Sequence, residues 1–150
     1  MSTEIDDELH RRLGIELFNA TWDLLDRANR SLEENECMIH TAHASRYHWE
    51  LVGTPLNLAR GDWQISRVYA EVGRAEPALY HARRCLEICQ QQGYGDFDLA
   101  YAYEALARAS GAAGDAAGLA QYKALAQEAV QQIAEEDDRK LFLTDLATLP

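Results

Sequence analysis

The sequence predicts an all-α domain, and three observations lead to that prediction. Glycines interrupt segments in which apolar residues recur every three to four positions, the spacing of a helix with one buried face. Of the three prolines, Pro55 and Pro77 fall where helices would begin. No pair of alternating apolar runs flanks a hairpin turn, so nothing favours a β-sheet. At 150 residues the chain is close to the commonest domain size, and we predict one domain over residues 1–150.

The periodicity predicts six main helices and a short seventh one. Their approximate ranges are 6–29, 33–52, 55–72, 75–92, 96–112, 115–136 and 138–147. Asp96 and Asp115 are the expected N-caps of the fifth and sixth helices. The acidic run from Glu135 to Asp138 suits the start of a last helix, which would cover the end of the stack with Leu141, Phe142 and Leu146. The short connections predict that neighbouring helices are antiparallel.

Charge is unevenly distributed along the chain. The net charge is −11, yet residues 40–85 hold six arginines against four acidic residues, with four of the five histidines. This cationic centre predicts a site for an anionic ligand or a metal ion, although chance clustering is an alternative. The overall negative charge argues against nucleic-acid binding. No apolar run approaches the roughly 20 residues of a membrane span.

The three cysteines and the amino terminus indicate the compartment. An odd number of cysteines and a polar, acidic start without a secretory signal predict free thiols in the cytoplasm. Cys85 and Cys89 lie four residues apart on a stripe of small residues, which favours a place in the core over a catalytic role. The alanine- and arginine-rich composition indicates a bacterial origin.

One segment carries a pattern of small and aromatic residues around a turn. Between Arg60 and Glu87, small, apolar and aromatic residues lie on both sides of a turn at Gly73. They are Ile65, Ser66 and Tyr69 before the turn, and Ala78, Ala82, Cys85 and Leu86 after it. This segment resembles a tetratricopeptide repeat, and residues 101–129 resemble a second unit in a looser way. The resemblance implies antiparallel helix pairs stacked as a short superhelix. The turn glycines Gly73 and Gly114 are 41 residues apart, more than the about 34 of that family, so another α-solenoid or a compact bundle stays open.

The third predicted helix presents a candidate binding face. Its members share one side through i, i+3, i+4 and i+7 spacing, and they are Arg60, Trp63, Gln64 and Arg67. Arginine binds carboxylate or phosphate with a planar fork, and tryptophan offers a stacking surface. The repeat resemblance adds the matching positions of the fifth helix, which are Tyr101, Glu104 and Arg108. The alternative is a solvated face with a pair such as Arg67–Glu71.

The second predicted helix carries a polar stripe that could serve chemistry. Glu36, His40, His43 and Tyr47 share one face, opposite an apolar stripe that includes Met38, Ala42 and Trp49. A glutamate and two histidines could hold a divalent metal ion if His81, Glu104 or Asp23 approached from other helices. His40, His43 and His81 are also candidates for general acid–base catalysis. The alternatives are structural histidines and a homodimer formed through this face.

These features predict a repeat-like binding or scaffold module. Its groove would hold an acidic peptide or a small anionic ligand through Arg60, Arg67 and Trp63, with Tyr47 and the histidines close by. The alternative is a small helical enzyme or metal-binding protein that uses the histidines of the second helix. The sequence leaves open whether any reaction is catalysed.

Overall fold

The computed structural model of the chain describes residues 5–150, and every regular element within them is helical. The bounds are α1 (Asp7–Leu25), α2 (Leu32–Val52), α3 (Pro55–Glu71), α4 (Ala75–Gln92), α5 (Asp96–Ala112), α6 (Ala116–Ala129) and α7 (Glu136–Leu146), with a short 3₁₀ turn at Val130–Gln132. The prediction of six main helices and a short last one is confirmed. Among these residues no helix combines the length and apolar character needed to cross a bilayer.

The helices form two layers. Consecutive helices pack in the pairs α1–α2, α3–α4 and α5–α6, and α2 and α4 also pack on the first helix of the next pair. Because α3 contacts both α1 and α5, and α5 contacts α7, these four helices make an inner layer. The outer layer consists of α2, α4 and α6. Fully buried apolar side chains fill the space between the layers, and the largest are Phe142, Met38, Ile65, Leu106 and Ile133.

Local chemistry explains where most helices begin and end. Ser31 and Glu34 form a reciprocal capping box at the start of α2, and Pro55 occupies the first turn of α3. The Asp115 carboxylate accepts a hydrogen bond from the Gly118 amide, which confirms Asp115 as the N-cap of α6. Gly73 follows α3 with a φ of 78°, a left-handed conformation that glycine adopts without the cost of a Cβ atom.

Two helices are shorter than the periodicity predicts. The first ends at Leu25 rather than near residue 29, since the guanidinium of Arg30 donates to the carbonyls of Leu24 and Leu25 and so satisfies the end of the helix. The sixth ends at Ala129 rather than near residue 136. The chain leaves the helix because Ile133 takes an extended conformation and is buried against the core beside α5 and α7.

Two further predictions, Asp96 as the N-cap of α5 and the burial of Leu141 in α7, are wrong. Asp96 has a φ of 52° and its carboxylate accepts from the amides of Phe97 and Ala134, so it ties α5 to the segment before α7 while Gly95 is the N-cap. In α7, Phe142 is buried as predicted, but Leu141 is 53% exposed. Leu141 points away from the core and contributes to the pocket described next.

Candidate functional site

The inner layer carries a pocket with a volume of about 630 Å³. All four inner helices contribute to it: Phe18 and Trp22 from α1, with the C-cap Asp26; Ala59, Arg60 and Trp63 from α3; Phe97, Asp98 and Tyr101 from α5; and Asp138, Leu141 and Asp145 from α7. Cys85 of α4 adds one contact from the outer layer. The volume falls within the range of roughly 300–1,000 Å³ that small-molecule sites occupy.

A ladder of aromatic rings runs across the pocket from helix to helix. The ring centroids of Trp22 and Trp63 are 5.4 Å apart, and those of Trp63 and Tyr101 are 5.1 Å apart. Phe97 contacts Tyr101 at 4.7 Å, and Phe142 supports the same ring from the core at 4.9 Å. Tilted and edge-on ring contacts of this kind are favourable and hold each ring in place. The pocket therefore has rigid aromatic walls.

The charged groups of the pocket are mostly acidic. Its one arginine, Arg60, donates two hydrogen bonds to Asp98, from Nε at 2.9 Å and from Nη2 at 3.2 Å. This pairing raises the pKa of Arg60, so the guanidinium stays charged and its charge is balanced by Asp98. Asp26, Asp138 and Asp145 have no such cationic partner among the lining residues. The cationic groove predicted from the sequence is thus not what lines this pocket, which carries an excess of negative charge.

Asp145 is held by the pocket's own aromatic wall. The hydroxyl of Tyr101 donates to Asp145 Oδ2 at 2.6 Å, which fixes α7 against α5. Burial and this hydrogen bond raise the pKa of Tyr101 far above its usual value, so the phenol remains protonated. Tyr101 therefore acts as a neutral donor and as a wall of the pocket. The prediction that Arg60, Trp63 and Tyr101 share one site is consistent with this geometry, since all three line it.

The other predicted groove residues lie beneath or beside the pocket and carry structural contacts. Gln64 is fully buried, and its Nε2 donates to the Phe18 carbonyl, which joins α3 to α1. Arg67 pairs with Glu71 one turn later, as the alternative interpretation of this face anticipated, but the face is not solvated, since the Arg67 side chain is 14% exposed and Gln64 is buried.

Glu104 and Arg108 form a buried ion pair that also holds the end of the chain. The Glu104 carboxylate is 1% exposed and lies 2.6 Å from Arg108 Nη2. Burial raises the pKa of Glu104, and the arginine charge partly opposes that rise. Arg108 also donates to the Asp145 carbonyl and to the Thr148 hydroxyl. These two residues position α7 rather than line the pocket.

Four of the five histidines lie on the outer-layer helices α2 and α4, and none of the five lines the pocket. His43 of α2 and His81 of α4 have ring centroids 5.5 Å apart. His43 Nε2 lies 2.8 Å from the Tyr69 hydroxyl, and His81 Nδ1 donates to Asp62 Oδ1 at 2.9 Å. Burial lowers the pKa of His43, and the charge of His81 adds to that effect. The cationic middle third of the chain therefore does not line one shared hollow.

The metal site predicted on α2 is not assembled. Glu36 and His40 are exposed, as is Tyr47, and Glu104 is engaged with Arg108 on a different helix pair. Across residues 5–150, no three residues among His, Cys, Asp and Glu are placed together as metal ligands. His43 does meet His81, as the enzyme hypothesis required, but without His40 or Glu104 as further ligands.

The cysteines Cys85 and Cys89 occupy the core, as predicted. They are 3% and 0% exposed and pack against Ala59 and Ala102. A hydrogen bond from Cys89, together with burial, raises the pKa of Cys85, which disfavours the nucleophilic thiolate.

Ten of the thirteen residues that line the pocket were missed by the sequence prediction, although a local signal exists for several of them. Phe18, Trp22 and Asp26 follow one another at intervals of four residues, and Phe97 and Tyr101 repeat the interval in α5. In α7, Leu141 and Asp145 have the same spacing. Side chains four apart share a helix face, so each of these runs marks the side of its helix that faces the pocket.

The chain matches no protein-family model, no curated protein and no solved structure. The tetratricopeptide resemblance thus stays a prediction. The fold and the site define the class as an all-α protein of paired helices with an aromatic pocket rimmed by carboxylates.

Proposed function

We propose that this chain is a binding module whose inner pocket holds an organic cation, an ammonium or guanidinium group attached to an apolar or aromatic body. The observation that carries the proposal is the lining itself. Aromatic faces from three helices surround the pocket, and three aspartates that form no ion pair with a described residue lie among them. Cations bind over aromatic faces with about 0.5–2 kcal/mol of attraction, and carboxylates add charge-assisted hydrogen bonds.

An anionic ligand, the partner predicted from the sequence, would need free arginines. Asp98 is paired with Arg60, so an anion in the pocket would have to displace that carboxylate. Arg67 bonds Glu71 through Nε and its buried Nη1 has no partner within the described residues, but Arg67 does not line the pocket. The same anion would lie close to the three remaining aspartates. The two hypotheses therefore differ in the sign of the ligand charge, which makes them easy to separate.

The first experiment compares two ligands of the same shape and opposite charge. Titration with 3-phenylpropylamine and with 3-phenylpropionate is followed by tryptophan fluorescence, since Trp22 and Trp63 stand in the pocket wall. We expect the amine to bind at least about tenfold more tightly than the acid, a difference of about 1.4 kcal/mol. A stronger response to the acid would refute the proposal.

Matched variants then place the bound cation in the pocket. Asp138→Asn removes a carboxylate that lines the pocket, whereas Asp137→Asn removes its exposed neighbour, which does not. We expect the first to weaken amine binding several-fold and the second to leave it unchanged. Arg60→Gln releases the carboxylate of Asp98, so amine binding should be retained or tightened. Loss of amine binding in Arg60→Gln, with the fold intact, would count against a cation site.

A further experiment asks whether the natural ligand is a small organic cation or a basic peptide segment. It compares the affinity of arginine amide with that of a short arginine-containing peptide. If the peptide binds about tenfold more tightly, the residues that flank the arginine contribute to binding, and the natural ligand is a basic peptide segment. Equal affinities identify a small organic cation instead, because the pocket then recognises only the charged group and its immediate body.

A further inference from the structure

The outer layer holds a second candidate site, the facing imidazoles of His43 on α2 and His81 on α4. We infer that His43 and His81 form a two-ligand site for a divalent transition-metal ion of the Zn²⁺ type, separate from the inner pocket. Imidazole nitrogen is a preferred ligand of Zn²⁺, Cu²⁺ and Ni²⁺. The two residues come from different helices, so the ion would join α2 to α4.

The ring geometry matches that of two imidazoles on one ion. Their centroids are 5.5 Å apart and the ring planes are inclined by 71°. With Zn–N bonds of about 2.0–2.1 Å and a near-tetrahedral angle, two coordinating imidazoles have centroids about 5.2–5.5 Å apart. The centroid separation of the two rings therefore suits a shared ion.

Each ring is also oriented by a hydrogen bond at its other nitrogen. The carboxylate of Asp62 accepts from His81 Nδ1 and leaves Nε2 for a ligand. In the tautomer in which His43 Nε2 donates to the Tyr69 hydroxyl oxygen, Nδ1 of His43 keeps its lone pair for the same ion. Asp62 is 3% exposed and is fixed in turn by Arg46 at 3.1 Å. Histidines that bind metals almost always donate their other ring N–H to an oxygen acceptor such as a carboxylate, which sets the tautomer and makes the free nitrogen a better ligand.

Water would complete the coordination. The His81 side chain is 16% exposed, so the pair opens to solvent on one side. Since residues 5–150 place no third His, Cys, Asp or Glu with the pair, we expect weaker binding than at a four-ligand structural zinc site.

A second histidine pair provides the control. His10 and His48 direct their Nδ1 atoms at each other, 2.9 Å apart, and no carboxylate contacts either ring in the described part of the chain. They test whether any two close histidines suffice. A His48→Gln variant removes this pair and leaves the outer-layer pair intact.

The test is a Zn²⁺ titration of the full chain against a chromophoric chelator, which yields both affinity and stoichiometry. We expect His43→Gln and His81→Gln each to remove one equivalent of bound Zn²⁺, and His48→Gln to retain that equivalent. Tyr69→Phe keeps the ring but loses the hydroxyl that orients His43, so affinity should fall about tenfold or more. Far-UV circular dichroism of each variant without metal confirms that the helices are intact.

Several outcomes would overturn the inference. They are the lack of saturable Zn²⁺ uptake by the unmodified chain, an unchanged stoichiometry in folded His43→Gln or His81→Gln, and loss of the ion from His48→Gln alone. Loss of the ion from Glu36→Gln would also overturn it, because the exposed face of α2 would then be the site. If one histidine variant does not fold, the other variant and Tyr69→Phe still decide the question.

Discussion

Two neighbouring residues of α7, Phe142 and Leu141, separate the stability of the fold from binding in the pocket. Phe142 is fully buried, with its ring 4.9 Å from that of Tyr101. Replacement of such a phenylalanine by alanine costs about 3–5 kcal/mol through lost burial and the cavity that remains. Leu141 is 53% exposed. Full burial of a leucine contributes about 1.5–3 kcal/mol, so Leu141→Ala should cost about 1 kcal/mol.

The two variants have different consequences for binding. Phe142→Ala removes the main apolar anchor of α7, and Asp138 and Asp145 should leave the pocket when that helix detaches. Leu141→Ala keeps the helix in place and removes only an apolar contact of the pocket wall. We therefore expect the first variant to lose both stability and cation binding, and the second to lose mainly affinity.

Urea unfolding followed by far-UV circular dichroism measures the free energies, and the amine titration measures binding. Equal losses of stability in the two variants would refute the assignment of Phe142 as the anchor. So would a cost below about 1.5 kcal/mol for Phe142→Ala, a value that would imply that the site collapses freely.

Two further predictions concern the contact between α2 and α3 and the buried histidine. In Gly61→Ala the new Cβ would lie 2.5 Å from Arg46 Cγ, and because Asp62 holds that arginine, we expect a loss of about 1–3 kcal/mol in unfolding free energy, read as a lower thermal midpoint. The pKa of His43 is lowered from 6.5 in the folded chain, so below that pH the unfolded chain binds more protons. The urea midpoint should thus fall as the pH decreases from about 7 to about 5, and His43→Gln should flatten that dependence; an unchanged slope would contradict it.

Part of the site was predictable because it lies on one helix face. Arg60 and Trp63 occur on the same side of α3 by spacing alone, and Tyr101 follows from the matching position in α5. The partner of Arg60 was not predictable in this way. Asp98 is 38 residues distant in sequence, and its approach depends on how α3 and α5 pack.

The histidines of α2 also show that helix periodicity does not predict contacts between helices. The stripe on α2 correctly places His40 and His43 on one face, but the face alone does not say which helix it meets. The structure pairs His43 with His81 and leaves His40 exposed. The sequence therefore predicts a histidine-rich helix face, but it does not predict which residues of other helices approach that face.

The sequence by itself determined the number and type of the helices and most of their ends. These follow from apolar periodicity, capping residues and glycines, and each of these acts within a few residues along the chain. Tertiary structure alone decided the character of the pocket. Whether an arginine is free or neutralised depends on contacts between distant helices, so the net charge offered to a ligand was set when α3 packed against α5 and α7 closed the inner layer.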